Sequence, residues 1–310
     1  MTLPHKTSWQ CTTPTRLAAE VRKHTDQAWT QVKRWIEGGK LAVNGRVVVD
    51  PGFLLHAGNM IELNLGAPRP IDLSREAVLA YDDAHVVVID KPSGISSVPY
   101  DHREGNTAMD MIRAAWRRGG KGATEIPLHV VHRIDKATSG LLAFAKSKRA
   151  ELGLGTQFRD HSISRHYLCL VHGMAGSKRI ESYLVADRGD GIRGSTRHLN
   201  QGKRAVTHVT VLDHNQDVSL CSVRLETGKT HQIRIHLSED GHPLLGEEVY
   251  IRNWRKHEHT EYQAPRLMLH AASLGFVHPV TGVRVELTSD LPDDFLATMR
   301  RYGLAQPTVP

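Results

Sequence analysis

No stretch of this 310-residue chain reaches the roughly 18 consecutive apolar residues that a membrane helix needs, so none is expected to span a bilayer. The first residues, Met-Thr-Leu-Pro-His-Lys, lack the apolar core of a secretory leader, which points to the cytoplasm. Cysteine is scarce. Cys11, Cys169 and Cys221 stand far apart, show no zinc-ligand spacing and fit a reducing compartment. Twenty histidines are present without an H-E-x-x-H or comparable pair, so they read as scattered polar and core residues and no metal is expected. Nucleotide and flavin motifs, a nucleophile elbow, internal repeats and long low-complexity segments are missing as well. A disulfide scaffold, a zinc enzyme and a dinucleotide enzyme are thereby set aside, and no cofactor is expected.

What is present suits a basic, globular chain of two domains, one of them small. Hydrophobic residues make up 40% of the sequence, enough for a sizeable core. The formal net charge is +7. Basic chains often meet polyanions, because neutralising phosphates releases counterions, although many bind no nucleic acid.

Residues 1–13 have no clear period and read as a flexible tail. Residues 14–65 read as the small domain. Leu17, Ala18 and Val21 are spaced for a helix face, and Val32, Trp35 and Ile36 repeat that spacing, with Thr30 as N-cap and Gly38-Gly39 as the stop. Residues 41–43 and 47–49 flank Asn44-Gly45, a strong hairpin signal, and residues 60–65 make a closing strand. A stiff linker over 66–72 leads to the larger domain, residues 73–305. There, residues 78–81 and 86–89 are strand-like, joined by Asp82-Asp83, and 107–118 is helical. Residues 187–204 are rich in Gly, Arg and Lys and read as a mobile basic loop.

Three segments carry chemistry. In LHVVHRIDKATSGLLAFAKS (128–147), Asp135 lies on a turn between two strand-like runs, where it either caps the turn or acts in a cleft. In LETGKTHQIRIHLSEDGHPLLGEEVY (225–250), Thr230 can cap a helix starting at His231; Ile233 and Leu237 then share one face and His231 and Arg234 another. Alternation along 230–237 also fits a strand, and Arg234 can alternatively be read as a surface residue. In SRHYLCLVHG (164–173), Tyr167 leads a strand-like run, as a core-edge tyrosine often does.

The HRIDKATSGLLAFAKS block resembles the signature of the RluA-type pseudouridine synthases, H-R-(hydrophobic)-D-x-x-T-S-G. The 225–250 block is similar to that family's T-G-R-T-H-Q-(hydrophobic)-R-x-H motif, and 164–173, 81–99 and 266–279 resemble further blocks in the family's order. TQVKRWIEGGKLAVNGRVV resembles the S4-type RNA-binding domain. The chain departs from these patterns in places. Ala28-Trp29 stand where Ser-Arg is frequent, Val98-Pro99 where His-Pro is, Lys229 replaces an arginine, and Gly246-Glu247 replaces Gly-Asp. The last two departures read as lying outside the catalytic set.

The resemblance implies an α+β fold with a mixed, mostly antiparallel central sheet and flanking helices, plus a small N-terminal α+β S4-like domain. It implies isomerisation of uridine to pseudouridine in RNA, with Asp135 as the catalytic acid, Arg234 as its partner and Tyr167 against the uracil as acid or base. Arg133, His132, Lys91, Lys229 and Thr230 are the expected RNA contacts of the larger domain. Lys33, Arg34, Lys40 and Arg46 form the basic face of the smaller one, or a merely solvated surface. The loop at 187–204 is either a solvated excursion or a finger that closes on RNA. An S4 unit points to large-subunit ribosomal RNA, with transfer RNA as the alternative substrate, and a monomer is expected. A catalytically inert RNA-binding ribosome-assembly protein is the rival from another class. Convergence of Asp135, Tyr167 and Arg234 in one cleft separates the two.

Overall fold

The structure, a computed structural model, describes residues 6–67, 77–99, 106–120, 126–196, 198 and 201–307. Two compact units divide the chain: residues 1–75 with 99–111, and residues 76–98 with 112–310.

In the smaller unit the strands Lys6–Gln10, Met60–Asn64, Leu41–Val43 and Arg46–Val47 pair in that order, all antiparallel. Asn44 and Gly45 take φ of 50° and 77°, the left-handed pair that a two-residue hairpin turn requires. Helices Leu17–Thr25 and Trp29–Glu37 bury Leu17, Ala18, Val21, Val32 and Ile36 in one cluster with Leu41, Ile61 and Leu63. Two expectations are corrected here. The described part of 1–13 is no tail: Lys6–Gln10 is an edge strand whose Trp9 enters the core with Cys11. The second helix starts one residue before Thr30. Ala28 is its N-cap, and the Ala28 carbonyl accepts from Gln31 and Val32 at 3.0 and 3.1 Å, so Thr30 lies inside the first turn. Linker residues 68–72 lie outside the described residues.

The larger unit holds a sheet of eleven strands among its described residues. Its path runs Gly194–Thr196, Lys178–Val185, Lys203–His214, Val218–Leu225, Ser164–His172, Leu269–Val277, Ser139–Ala145, Val86–Lys91, Val78–Asp82. Arg284–Thr288 pairs beside Leu269–Val277, and His129–Val130 beside Ser139–Ala145. All pairs are antiparallel except Ser139–Ala145 with Leu269–Val277. Helix Lys148–Arg159 packs Ala150 and Leu154 with Leu141, Ala143 and Phe276, and helix Asp293–Arg301 packs Phe295 and Met299 with Leu168, Leu220 and Met268. Central strands covered by helices have no wet face to alternate with, which is why Ser139–Ala145 is buried at every position. The fold is thus the mixed α+β architecture that the motifs implied.

The segment 187–204 is corrected too. Gly194–Thr196 adds an edge strand against Tyr183–Val185. Before it, the Asp187 carboxylate accepts from the amides of Gly189 and Gly191, and Arg188 pairs with Asp190 at 2.9 Å. Short aspartate turns of this kind organise a segment poor in apolar residues, of which Ile192 packs against Leu184, Ala205, Ile235 and Tyr250.

One glycine fixes where the sheet turns parallel. Gly140 has φ of 105°, and a Cβ there would stand 2.3 Å from the Ala271 carbonyl oxygen. The strands can approach only because nothing projects at this position. Gly140→Ala is therefore expected to cost at least about 3 kcal/mol of stability, as strain combined with a backbone clash does. A urea titration checks this, and a midpoint equal to that of the wild type refutes it.

Candidate active site

Asp135 lies on the connection between His129–Val130 and Ser139–Ala145. Its carbonyl accepts from the Thr138 amide at 3.0 Å, closing a turn. A second loop holds this turn in place. Ser97 Oγ donates to the Ile134 carbonyl at 2.7 Å, the Gly94 amide donates to the Lys136 carbonyl at 2.8 Å, and Ser93 Oγ donates to the Ala137 carbonyl at 2.7 Å. Lys91 locks the two loops together. Its ammonium donates to the carbonyls of Pro92, Ile95 and Lys136 at 2.9, 2.8 and 3.3 Å, with no surface exposed. Burial pulls its pKa down to about 7, and the nearby Asp135 charge opposes that fall. The expectation that Lys91 contacts RNA is corrected: this ammonium is spent on backbone carbonyls.

Arg234 projects from helix Gln232–Glu239 and brings its Nη1 to 3.6 Å from Asp135 Oδ2. Its Nε and Nη2 each donate to the Glu247 carboxylate at 2.8 Å. The guanidinium also lies over the Tyr250 ring, 5.2 Å from the centroid. Glu247 is buried, and it accepts from the Val249 and Tyr250 amides at 2.9 and 3.2 Å. Burial works to raise its pKa, but the bonds and charge of Arg234 and the two amides outweigh burial and hold it below the ordinary carboxylate range. Its place is set by Gly246, which has φ of 74°; a Cβ there would lie 1.9 Å from the Arg266 carbonyl oxygen. Glu247 thus belongs to the site, against the expectation that this departure from Gly-Asp lies outside it.

The other carboxylate oxygen of Asp135 faces His231, whose Nε2 is 3.9 Å away. His231 Nδ1 and the Tyr250 hydroxyl are 2.7 Å apart. Burial, countered by Asp135, lowers the His231 pKa and leaves the ring neutral at pH 7. A neutral ring that accepts from Tyr250 at Nδ1 turns its Nε2–H toward Asp135. Tyr167 is buried nearby. Burial raises the pKa of its phenol; Arg165 opposes the rise and Asp135 adds to it. The phenol therefore keeps its proton. It is suited to giving a hydrogen bond and poorly suited to removing a proton.

Asp135 and Arg234 thus come together, with Tyr167 near enough for the Asp135 charge to act on its phenol, and the remaining expected contacts divide. Arg133 is exposed. His132 is not available to RNA: it stacks on Phe158 at 4.4 Å, its Nε2 accepts from the Ala143 amide at 3.0 Å, and burial with Arg165 pushes its pKa to about 3. Thr230 does not cap the helix. The N-cap is His231 itself, at φ 58° and without a side-chain bond, so the helix begins at Gln232. Lys229 and Thr230 instead line an open cavity of about 630 Å³ with Arg193 and Lys203. In the smaller unit Lys33 is exposed but pairs with Glu37 at 3.7 Å, Arg34 is exposed, and Lys40 donates to the Ala67 carbonyl. The Arg46 side chain lies outside the described residues. His231, Tyr250 and Glu247 were not assigned from the sequence; the i, i+3 spacing of His231 and Arg234 and the Gly246-Glu247 departure from Gly-Asp were the signals for two of them.

Residues 85–239 match the family described as RNA pseudouridylate synthase, and residues 30–61 match the S4 domain. The chain is 36% identical over 259 residues to ribosomal large subunit pseudouridine synthase D of Zymomonas mobilis, covering 81% of each chain. It is 35% identical over 290 residues to the RNA pseudouridine synthase YlyB of Bacillus subtilis, covering 90% of this chain and 92% of that one. The structure of human RNA pseudouridylate synthase domain containing 1 superposes with a TM-score of 0.59 at 23% identity, over 77% of this chain and 94% of that chain, and so shares the fold. The chain belongs to the RNA pseudouridine synthases, enzymes that isomerise uridine within RNA, and it carries an S4 domain ahead of its catalytic part.

The Glu247–Arg234 pair has a measurable signature. A depressed carboxylate pKa gives stability that is fully present above the unfolded-state pKa and lost as pH falls through the folded value. Glu247→Gln is expected to lower the unfolding free energy by about 3 kcal/mol at pH 7, since it leaves a buried guanidinium half-paired. The gap between variant and wild type should close as pH drops below about 4. Unfolding titrations across pH test this, and a gap that stays constant refutes it.

Proposed function

We propose that the uridines isomerised by this enzyme lie in large-subunit ribosomal RNA, and that Asp135 carries the reaction. One observation supports the catalytic reading above the others: Asp135 is aimed by a guanidinium whose two remaining donor sites are fixed on a buried carboxylate. An arginine in an inert binder has no need to be held that way. The naming of relatives at 36% identity as ribosomal large subunit enzymes supports the substrate class. No helix among the described residues is long and apolar enough to cross a membrane. Our reading places the enzyme in the cytoplasm as a monomer.

The chemistry needs little. The N1–C1′ bond breaks, the base turns, C5 joins C1′, and the proton leaving C5 is balanced by one gained at N1. Asp135 supplies a positioned anion, as nucleophile or as counter-charge to the electron-poor reacting carbon. Arg234 pairs with one carboxylate oxygen, and His231 faces the other. Tyr167 packs against the base as a protonated phenol. The target nucleotide must leave its stack to reach this site. Arg133, Lys229, Arg193 and Lys203 are the cations presented to its phosphates.

Asp135→Asn keeps the shape of the side chain and removes its charge. Turnover on ribosomal RNA should fall by at least about 10⁴-fold while affinity stays near wild type. Pseudouridine mapping and single-turnover assays decide this. Turnover near that of the wild type refutes the assignment, and modification confined to transfer RNA refutes the substrate class. For the S4 domain, replacing both Lys33 and Arg34 by Gln should reduce the slope of log Kd against log salt by between about 1 and 2 units. An unchanged slope means that these residues touch no phosphate.

A further inference from the structure

Arg165 stands two residues before Tyr167 on the strand Ser164–His172, hence on the same face of that strand. It is 7% exposed. Its guanidinium lies over the Phe158 ring, 5.5 Å from the centroid. A Cβ on Gly228 would stand 2.7 Å from its Nη1, so the side chain occupies room that only a glycine leaves. Gly228 also lines the cavity shared by Arg193, Lys229 and Thr230. The Nε is enclosed without an acceptor, and among the described residues no carboxylate or carbonyl pairs with any nitrogen of this group.

A buried guanidinium with no anion or acceptor is costly, and most buried polar groups have partners. Among the described residues, every other strongly buried lysine or arginine of the larger unit has one: Lys91 has three carbonyls and Lys146 has Asp82 at 2.7 Å. The field of Arg165 reaches the Tyr167 phenol and His132. The guanidinium thus lies near the Tyr167 phenol, on the same face of the strand, with its Nε unpaired.

We propose that Arg165 is a further catalytic residue, which binds a carbonyl oxygen of the target uracil and stabilises the negative charge that collects on the ring during isomerisation. This rests on the reading of Asp135 and Tyr167 given above. When N1–C1′ breaks, the electron pair stays on N1 and spreads to O2 and O4, leaving the sugar electron-poor opposite Asp135. When C5 then bonds to C1′, the ring gives up that charge, loses the C5 proton and takes one at N1. A cation fixed at a carbonyl oxygen lowers the energy of the charged stage without moving an atom. Burial argues for the base over a phosphate, because a flipped base enters such a pocket while its phosphates stay toward the exposed Arg193 and Lys203.

The test is single-turnover isomerisation of ribosomal RNA by Arg165→Met, Arg165→Lys and Gly228→Ala, with RNA affinity measured at several salt concentrations. For Arg165→Met the rate should fall at least about 100-fold, the size of effect that removing one such donor has, with Kd and its salt slope unchanged. Arg165→Lys should recover part of the rate. Gly228→Ala, whose new methyl displaces the fork, should fall between the two. A rate within about 3-fold of wild type for Arg165→Met overturns the proposal. So does weaker binding with a salt slope reduced by about one unit at an unchanged rate, which assigns the residue to a phosphate. If thermal melting shows Arg165→Met unfolded, the other two variants decide by the same readings. A wild-type protein that isomerises no uridine overturns the functional reading and this inference with it; an active wild type indifferent to Arg165 overturns this inference alone.

Discussion

The site depends on one buried ion pair. Arg234 and Glu247 face each other through two bonds of 2.8 Å, and neither could stay in the interior without the other. Gly246 puts Glu247 there by passing close to the Arg266 backbone, and the amides of Val249 and Tyr250 complete its shell. Once the pair forms, Arg234 has one direction left for Nη1, toward Asp135. Tyr250, held beneath the guanidinium, in turn meets His231, which faces the other oxygen of the same acid. The position of a single reactive carboxylate is therefore decided by contacts two residues removed from it.

The cations divide into two populations that their number alone cannot separate. Lys91, Lys146 and Lys40 end on carbonyls or carboxylates of the protein, and Arg188 ends on Asp190. These hold loops. Arg133, Arg193, Lys203 and Arg34 are exposed. A net charge of +7 says only that a polyanion is welcome; which arginines meet it is settled by which have already been satisfied inside the fold.

Much of this was legible in the sequence, and the limits have physical causes. Asp135, Tyr167 and Arg234 sit in spaced blocks, and geometry unites them. The helix over 232–239 competed with a strand reading, because Ile233, Ile235 and Leu237 are all buried and blur the 3.6-residue period. The strand Lys6–Gln10 was missed because five residues with one buried position carry too little alternation to register. Lys91 and His132 were misassigned because a charged or polar letter does not reveal burial. Glu247 was set aside and Arg165 overlooked for a related reason: their meaning lies in what they pair with, or fail to pair with, across 13 residues of chain in one case and at an unpaired Nε in the other.

The parallel contact at Gly140 has a consequence for the birth of the enzyme. Ser139 and Gly140, just past the reactive turn, lie beside His270 and Ala271, 131 residues further along the chain. A ribosome making the polypeptide must deliver those 131 further residues before that strand gains its neighbour. Local helices and hairpins can condense early, but a contact of such long sequence separation closes late and slowly. During synthesis the turn bearing Asp135 can meet the loop 91–97 that holds it, but the strand leaving that turn lacks its parallel neighbour, so catalytic competence should arrive only after residues 269–277 have docked and not grow steadily as the chain emerges.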